Sequence, residues 1–99
     1  MHRETKAKTI SPSVKMAVRN RDRGCCIICH SPAEPIAHYI SRAQGGLGIE
    51  ENIVCLCNEC HRRYDQSADR DWIRKSLKKY LSQHYPYWDE KDLVFRKDR

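Results

Sequence analysis

Two pairs of cysteines, each with a two-residue spacer, lie in the middle of the chain and are the residues best suited to metal chemistry. A Cys-x-x-Cys spacing lets both sulfurs turn toward one ion, and zinc in structural sites takes four thiolate or imidazole ligands in a tetrahedron. Two such pairs complete the ligand set without leaving a position for water. The sequence therefore predicts one structural zinc, bound by Cys26, Cys29, Cys57 and Cys60.

The other cysteines leave alternatives open. Six cysteines could form three disulfides in a secreted protein, but the N-terminal segment lacks the apolar stretch of a signal peptide. Cys25 or Cys55 could replace a neighbouring cysteine as a ligand, although Cys55 also fits an inward strand position, where free cysteine behaves as a small hydrophobe. His30 is a further substitute ligand. Zinc bound by the two spaced pairs is the prediction.

The composition is that of a small basic domain with a thin core. Of the 99 residues, 39% are hydrophobic and one is Phe, so a metal coupled to folding would supply stability that the core lacks. The formal net charge of +6 favours a polyanionic partner, because Lys and Arg neutralise phosphates. No segment approaches the ~18 apolar residues of a membrane span. We expect a cytoplasmic protein without a membrane partner.

The elements that position the chemistry follow from helix and strand signals. Ser11-Pro12 starts a helix, with Ser as the N-cap and Pro at the first helical position. Arg19, Arg21 and Arg23 on this helix could face a phosphate backbone. The sequence predicts a flexible basic arm over residues 1–10, a helix up to Gly24 and a strand over 36–40. A loop over 41–51 then leads to a second strand over 52–56 and a helix over 60–66. An amphipathic helix from Asp69 to Pro86 and a last turn over 89–95 complete the prediction.

Four fragments in one continuous register resemble the HNH endonuclease family. They are Cys26-x-x-Cys29, His38 seven residues before Gly45-Gly46, Asn52-Ile53-Val54-x-Leu56-Cys57, and Cys60-His61. The match is closest to short phage and prophage members that carry a zinc staple. It implies a zinc-stabilised α+β fold with a ββα-metal motif over 23–66, inside a single domain over 11–99 whose C-terminal helical extension is 69–99.

The resemblance also implies roles for individual residues. His38 matches the general base that activates water, and a neutral imidazole can accept that proton at physiological pH. Asn52 matches a residue that braces the loop and the base. His61 matches a ligand of a catalytic divalent cation, and Asp65 lies where many members place another histidine. A carboxylate there suits Mg²⁺ or Mn²⁺.

The substrate implied by the resemblance is DNA, cut to leave 5′ phosphate and 3′ hydroxyl ends. Arg42, Arg62 and Arg63 lie near enough in sequence to clamp phosphates. No small-molecule substrate is expected. So small a chain would read a long site only as a homodimer or beside a larger phage or prophage protein.

Ala37 departs from the family pattern, in which Asp or His commonly precedes the base and donates a metal ligand. Three explanations are open. The site could use fewer protein ligands and more water or phosphate oxygens. The register could shift, so that His38 is a ligand and Tyr39 acts as the base. The domain could bind DNA without cutting it.

Two non-enzymatic functions therefore stand beside the endonuclease. One is a zinc-stapled DNA-binding module, which Ala37 and the basic arm favour. The other is a protein-interaction zinc domain whose C-terminal amphipathic helix docks a partner.

Overall fold

The computed structural model describes residues 3–96 of the chain. In order, its elements are α1 Arg3–Lys8, α2 Pro12–Asp22, β1 Glu34–His38, β2 Ile53–Leu56, α3 Asn58–Gln66 and α4 Arg70–His84, with 3₁₀ turns at Arg42–Gln44 and Glu90–Leu93. They form a small mixed domain in which helices pack on a two-stranded antiparallel sheet. Within the described range, no helix has the length and apolar character needed to cross a bilayer.

Helix α2 starts and ends where its sequence predicts. The Ser11 hydroxyl accepts a hydrogen bond from the Val14 amide at 3.2 Å, and Pro12 follows the cap. The helix ends in the left-handed residues Arg23 and Gly24, with φ of 58° and 66°. A non-glycine residue such as Arg23 is strained in this region. The left-handed backbone turns the chain sharply, and the first cysteine pair follows.

The β1–β2 hairpin has a β-bulge directly before Ala37 and His38. Pairing runs Pro35 to Cys55 and then Ala37 to Val54, which leaves Ile36 as an extra residue on β1. Such a bulge bends a strand and re-aims its side chains, and it is common beside functional sites. Strand β1 lies two residues earlier than the predicted 36–40.

The early end of β1 has a local cause. The amide of Ile40 donates to the Asn52 side-chain oxygen at 2.8 Å rather than to a strand partner. The ladder therefore stops, and the chain turns into the loop that the sequence predicts for residues 41–51.

Helices α3 and α4 close the core on the same side of the sheet. The Cys57 sulfur caps α3 by accepting from the Cys60 amide at 3.4 Å, so the helix begins at Asn58, two residues before the predicted start. From α4, Ile73, Leu77 and Leu81 are 0% exposed. The sequence predicts an apolar stripe on this helix from residues at three- and four-residue steps, which are Trp72, Ile73, Leu77, Tyr80, Leu81 and His84. The stripe is confirmed at the three buried positions, whereas Tyr80 is half-buried and Trp72 and His84 lie at the surface.

A buried ion pair joins α2 to the hairpin and to α4. The Arg21 guanidinium donates to the Asp22 carboxylate at 2.7 and 3.0 Å and to the Ile53 carbonyl at 2.6 Å. Asp22 also accepts from the Cys55 amide at 2.9 Å and from the Tyr80 hydroxyl. The expectation that Arg21 faces a phosphate backbone is wrong, because its guanidinium is inside the fold.

The first ten residues contain regular structure where the sequence predicts none. Residues Arg3–Lys8 form α1, and the Gly48 amide of the central loop donates to the Ala7 carbonyl at 3.0 Å. A weak six-residue helix gains this contact from tertiary structure, because isolated helices so short are marginal in water. Met1 and His2 of the predicted arm lie outside the described residues.

Candidate functional site

Four cysteine sulfurs converge where the turn after α2 that carries Cys26 and Cys29, which we name the knuckle, meets the start of α3. The sulfurs of Cys26, Cys29, Cys57 and Cys60 all lie within 4.8 Å of one another, and those of Cys29 and Cys57 are 3.6 Å apart. Four thiolates about 2.3 Å from one zinc would be about 3.8 Å apart in a tetrahedron. The donor set and its spacing fit a structural metal such as zinc, as the sequence predicts.

The electrostatics of the cluster also suit a cation. Hydrogen bonds with Ser31 lower the pKa of the Cys29 thiol to about 6, which favours the thiolate that a metal needs. Burial raises the pKa of Cys60, where a bound cation would offset the penalty. The two shifts have different causes, which are the hydrogen bonds with Ser31 at the exposed Cys29 and burial at Cys60.

The remaining cysteines and His30 stand outside the cluster. Cys55 is 0% exposed and packs with Val18 and Ile53, as its inward strand position predicts. Burial raises the pKa of its thiol to about 12. Cys25 hydrogen-bonds the Arg23 carbonyl, and all six cysteines are free thiols. The alternative ligand sets and the disulfide framework therefore find no support in the geometry.

A second group of polar residues lines an open cavity of about 320 Å³ on the hairpin and α3. His38 comes from the end of β1, Arg42 from the following loop, and His61 and Asp65 from α3. Ile10, Ile36 and Ser41 complete the wall. The structure thus brings together four of the residues singled out from the sequence.

His38 is held in a half-buried position by one hydrogen bond. Its Nε2 lies 2.9 Å from the main-chain carbonyl oxygen of Lys8. Burial lowers the pKa of His38 below its usual 6.5, and the positive charges of Arg42 and Lys8 act in the same direction. The imidazole is therefore neutral at physiological pH, the state in which it can accept a proton.

Asn52 holds the loop between His38 and the second strand. Its side chain is completely buried, accepts from the Ile40 amide, and donates to the carbonyls of Ile40 and Leu47 at 3.1 and 2.8 Å. Its own carbonyl accepts from the Tyr39 amide at 2.7 Å. Both ends of the loop are therefore tied to one residue, which does not reach the cavity itself.

Helix α3 presents His61 and Asp65 to the cavity from one face. They are four residues apart, and His61 Nε2 lies 3.4 Å from an Asp65 carboxylate oxygen. One imidazole and one carboxylate could hold a divalent cation together. Of the residues described, only the four cysteines form a group of three or more such ligands, so a cation here would take most of its ligands from water or phosphate.

The two arginines on α3 do not line the cavity. Arg62 pairs with Glu59 at 2.6 Å at the surface. Arg63 lies slightly more than half a turn round the helix from His61, and it pairs with Asp69 at 3.0 Å and stacks over the Trp72 ring. Of the three arginines predicted to clamp phosphates, the structure brings only Arg42 to the cavity.

Ala37 and Tyr39 lie on the opposite face of β1 from His38. Both are in the core, 0% and 1% exposed, and the Tyr39 hydroxyl donates to Glu90. Burial raises the pKa of Tyr39 further from the physiological range. Tyr39 is thus a poor candidate for the base. Position 37 is a core position in this register, so a carboxylate there would be buried rather than aimed at the cavity.

Comparison with known proteins adds no assignment. No protein-family model matches the chain, and no curated protein is found to be similar to it.

The residue that sequence reasoning missed at this site is Lys8. Its carbonyl contacts His38 across 30 positions of sequence, and no spacing or composition signal marks a main-chain oxygen. Gly48 is the sequence feature that comes closest to predicting this contact, since a glycine often marks a place where another segment of main chain approaches closely.

Proposed function

We propose that the chain is a metal-dependent endonuclease of the HNH type that hydrolyses phosphodiester bonds in DNA. The observation that carries the proposal is the shared cavity of His38, His61 and Asp65, with Arg42 at its edge. In this proposal the β1–β2 hairpin and α3 correspond to the ββα-metal motif of the family. The order of fragments along the chain supports the same assignment.

The chemistry begins with a neutral imidazole. His38 takes a proton from the water that attacks phosphorus, and its lowered pKa keeps it ready to do so at neutral pH. His61 and Asp65 would hold a divalent cation such as Mg²⁺ or Mn²⁺, whose contribution would be to stabilise charge on the scissile phosphate and the leaving 3′ oxygen. Arg42 contacts the phosphate backbone, and the products carry 5′ phosphate and 3′ hydroxyl ends.

The four cysteines have a supporting role in this proposal. They would hold one structural zinc, with no ligand position left for water, and would tie the start of α3 to the turn that carries Cys26 and Cys29. His61 follows Cys60 directly, so these four residues, once they held a zinc, would also fix the position of His61 relative to the hairpin.

A second candidate is a zinc-stapled DNA-binding module without catalysis. Ala37 favours it, because its buried side chain leaves the cavity with two protein ligands from α3 rather than three. The basic net charge of +6 would serve either function.

One experiment separates the two. Zinc-loaded protein is incubated with supercoiled plasmid and a panel of divalent ions, and the same samples are run for mobility shift in the presence of a chelator too weak to remove the zinc. The endonuclease nicks the plasmid with at least one ion and leaves 5′ phosphate ends. A module that only binds shifts the plasmid at low salt and leaves it uncut with every ion.

A further inference from the structure

The N-terminal segment 3–10, which we name the arm, is built into the wall of the His38 cavity. The Ala7 carbonyl accepts from the Gly48 amide at 3.0 Å, and Ile10 lines the cavity itself. A Cβ at Gly48 would lie 2.3 Å from the Thr9 carbonyl oxygen. The arm and the loop therefore fit each other closely enough that only glycine is accommodated at position 48.

Lys8 connects the arm to two cavity residues at once. Its carbonyl oxygen lies 2.9 Å from His38 Nε2 and 3.2 Å from a guanidinium nitrogen of Arg42. Its ammonium group donates to the Arg42 carbonyl at 3.1 Å and pairs with Glu4 at 3.0 Å. The main chain of the arm thus holds both the imidazole and the arginine.

The chemistry of that contact determines which nitrogen of His38 carries the proton. A carbonyl oxygen only accepts, so the hydrogen bond requires a hydrogen on Nε2. In the neutral ring the other nitrogen, Nδ1, then has its lone pair, and it makes no hydrogen bond to any residue in the range 3–96. Fixing one tautomer through a second hydrogen bond is how proteins prepare a histidine for acid–base work.

We propose that the arm is a working part of the catalytic centre and that the Lys8 carbonyl is its positioning group, which fixes His38 as the Nε2–H tautomer and leaves Nδ1 as the nitrogen that accepts the proton. The part of this inference that concerns catalysis rests on the proposed endonuclease function. The part that concerns the tautomer does not.

The test compares the full chain with a variant that lacks residues 2–8 and with Gly48→Ala, which keeps every charge of the arm. The exposed Lys6→Ala is the matched control, because it removes a charge of the arm and leaves the Lys8 carbonyl and the Lys8 side-chain contacts in place. All four are loaded with one zinc per chain. The tautomer of His38 is read from the NMR shifts of its ring nitrogens at about pH 8, where the imidazole is neutral.

We expect a single Nε2–H tautomer in the full chain and in Lys6→Ala. The deletion and Gly48→Ala should give a mixture, together with a loss of kcat in plasmid nicking of about tenfold or more. Lys6→Ala should leave kcat within about twofold and affect only KM, because its lost charge bears on DNA affinity rather than on the base.

The outcomes are distinguishable from failure of the proposed function. An unchanged tautomer in the deletion variant overturns the inference, whatever the nicking assay shows. Faster nicking after deletion also overturns it, since the arm would then be a cover over the site. If no variant nicks DNA but the tautomer shifts as expected, the positioning of His38 by the arm stands and the endonuclease proposal fails.

Discussion

Helix α3 contributes to two groups of potential metal ligands that are built in different ways. Cys57 and Cys60 at its start join two cysteines of the knuckle in a cluster of four like donors within 4.8 Å of one another. His61 and Asp65, within the next turn and a half, face an open cavity with unlike donors. The first group is complete without water, whereas the second has room for water and a phosphate.

In the proposed function, this difference separates a supporting site from the site of the chemistry. A cation held by four thiolates has no open position and contributes to folding. A cation held by one imidazole and one carboxylate keeps most of its positions for solvent and substrate, which is the arrangement that catalysis needs. Because the two groups share α3, a metal held by the cysteines would hold the start of the helix that carries His61 and Asp65.

The largest effect that tests this comparison is loss of a zinc ligand. We expect Cys60→Ser to be largely unfolded, because structural zinc contributes about 10 kcal/mol or more and small domains have about 5–15 kcal/mol of net stability. Far-UV circular dichroism and zinc content provide the measurement. Cys25→Ser is the matched control and should retain both, since Cys25 lies outside the cluster. A folded, zinc-loaded Cys60→Ser would contradict the supporting role.

A smaller loss of stability is expected when the loop over 41–51 loses the side chain that holds it. Asn52→Ala removes three hydrogen bonds made by a completely buried side chain. It should lower the free energy of unfolding by about 2–3 kcal/mol, because the main-chain groups of Ile40 and Leu47 lose their partner. Denaturant unfolding of the zinc-loaded protein measures it, with the exposed Asn20→Ala as control. Equal stability of the two variants would show that Asn52 does not brace the loop.

The arginines should differ in how they affect DNA binding. Arg42 lines the cavity, whereas Arg63 pairs with Asp69 and stacks over Trp72. We expect Arg42→Ala to reduce the slope of log affinity against log salt by about one, as loss of one phosphate contact does. Arg63→Ala should leave that slope nearly unchanged. If Arg63→Ala reduced the slope and Arg42→Ala did not, the DNA-binding face would lie on the other side of α3.

The smallest expected effect is a shift in the titration of His38. Its NMR midpoint should lie below 6.5, because burial and the charges of Arg42 and Lys8 lower its pKa. Arg42→Ala should raise the midpoint by removing one of those charges. Since the folded pKa is below the unfolded value, the native state binds fewer protons, and stability falls as pH drops from 6.5 through the folded pKa. A midpoint above 6.5 would contradict the neutral base.

The parts of the fold that sequence predicts well depend on local spacing. Two cysteines separated by two residues can reach one ion whatever surrounds them, and Ile73, Leu77 and Leu81 share a face by helical geometry alone. The cap of α2 at Ser11 is local in the same sense. These predictions need no knowledge of distant contacts.

The parts that sequence does not predict depend on partners far along the chain. Arg21 looks like a surface arginine until Ile53, Tyr80 and Tyr85 enclose it. Lys8 contributes a main-chain oxygen, which has no sequence signature. The core position of Ala37 follows from the bulge at Ile36, and a bulge in a five-residue strand has no clear pattern either.

The central claim is that the open cavity performs the chemistry while the cysteine cluster supports the fold. Plasmid nicking and zinc content, measured on the same samples of wild type and His38→Ala, test it most directly, with the exposed His84→Ala as the control variant. We predict one zinc per chain in all three proteins, and nicking reduced about 100-fold or more in His38→Ala alone. Nicking by His38→Ala at the wild-type rate, with zinc in place, would contradict the account.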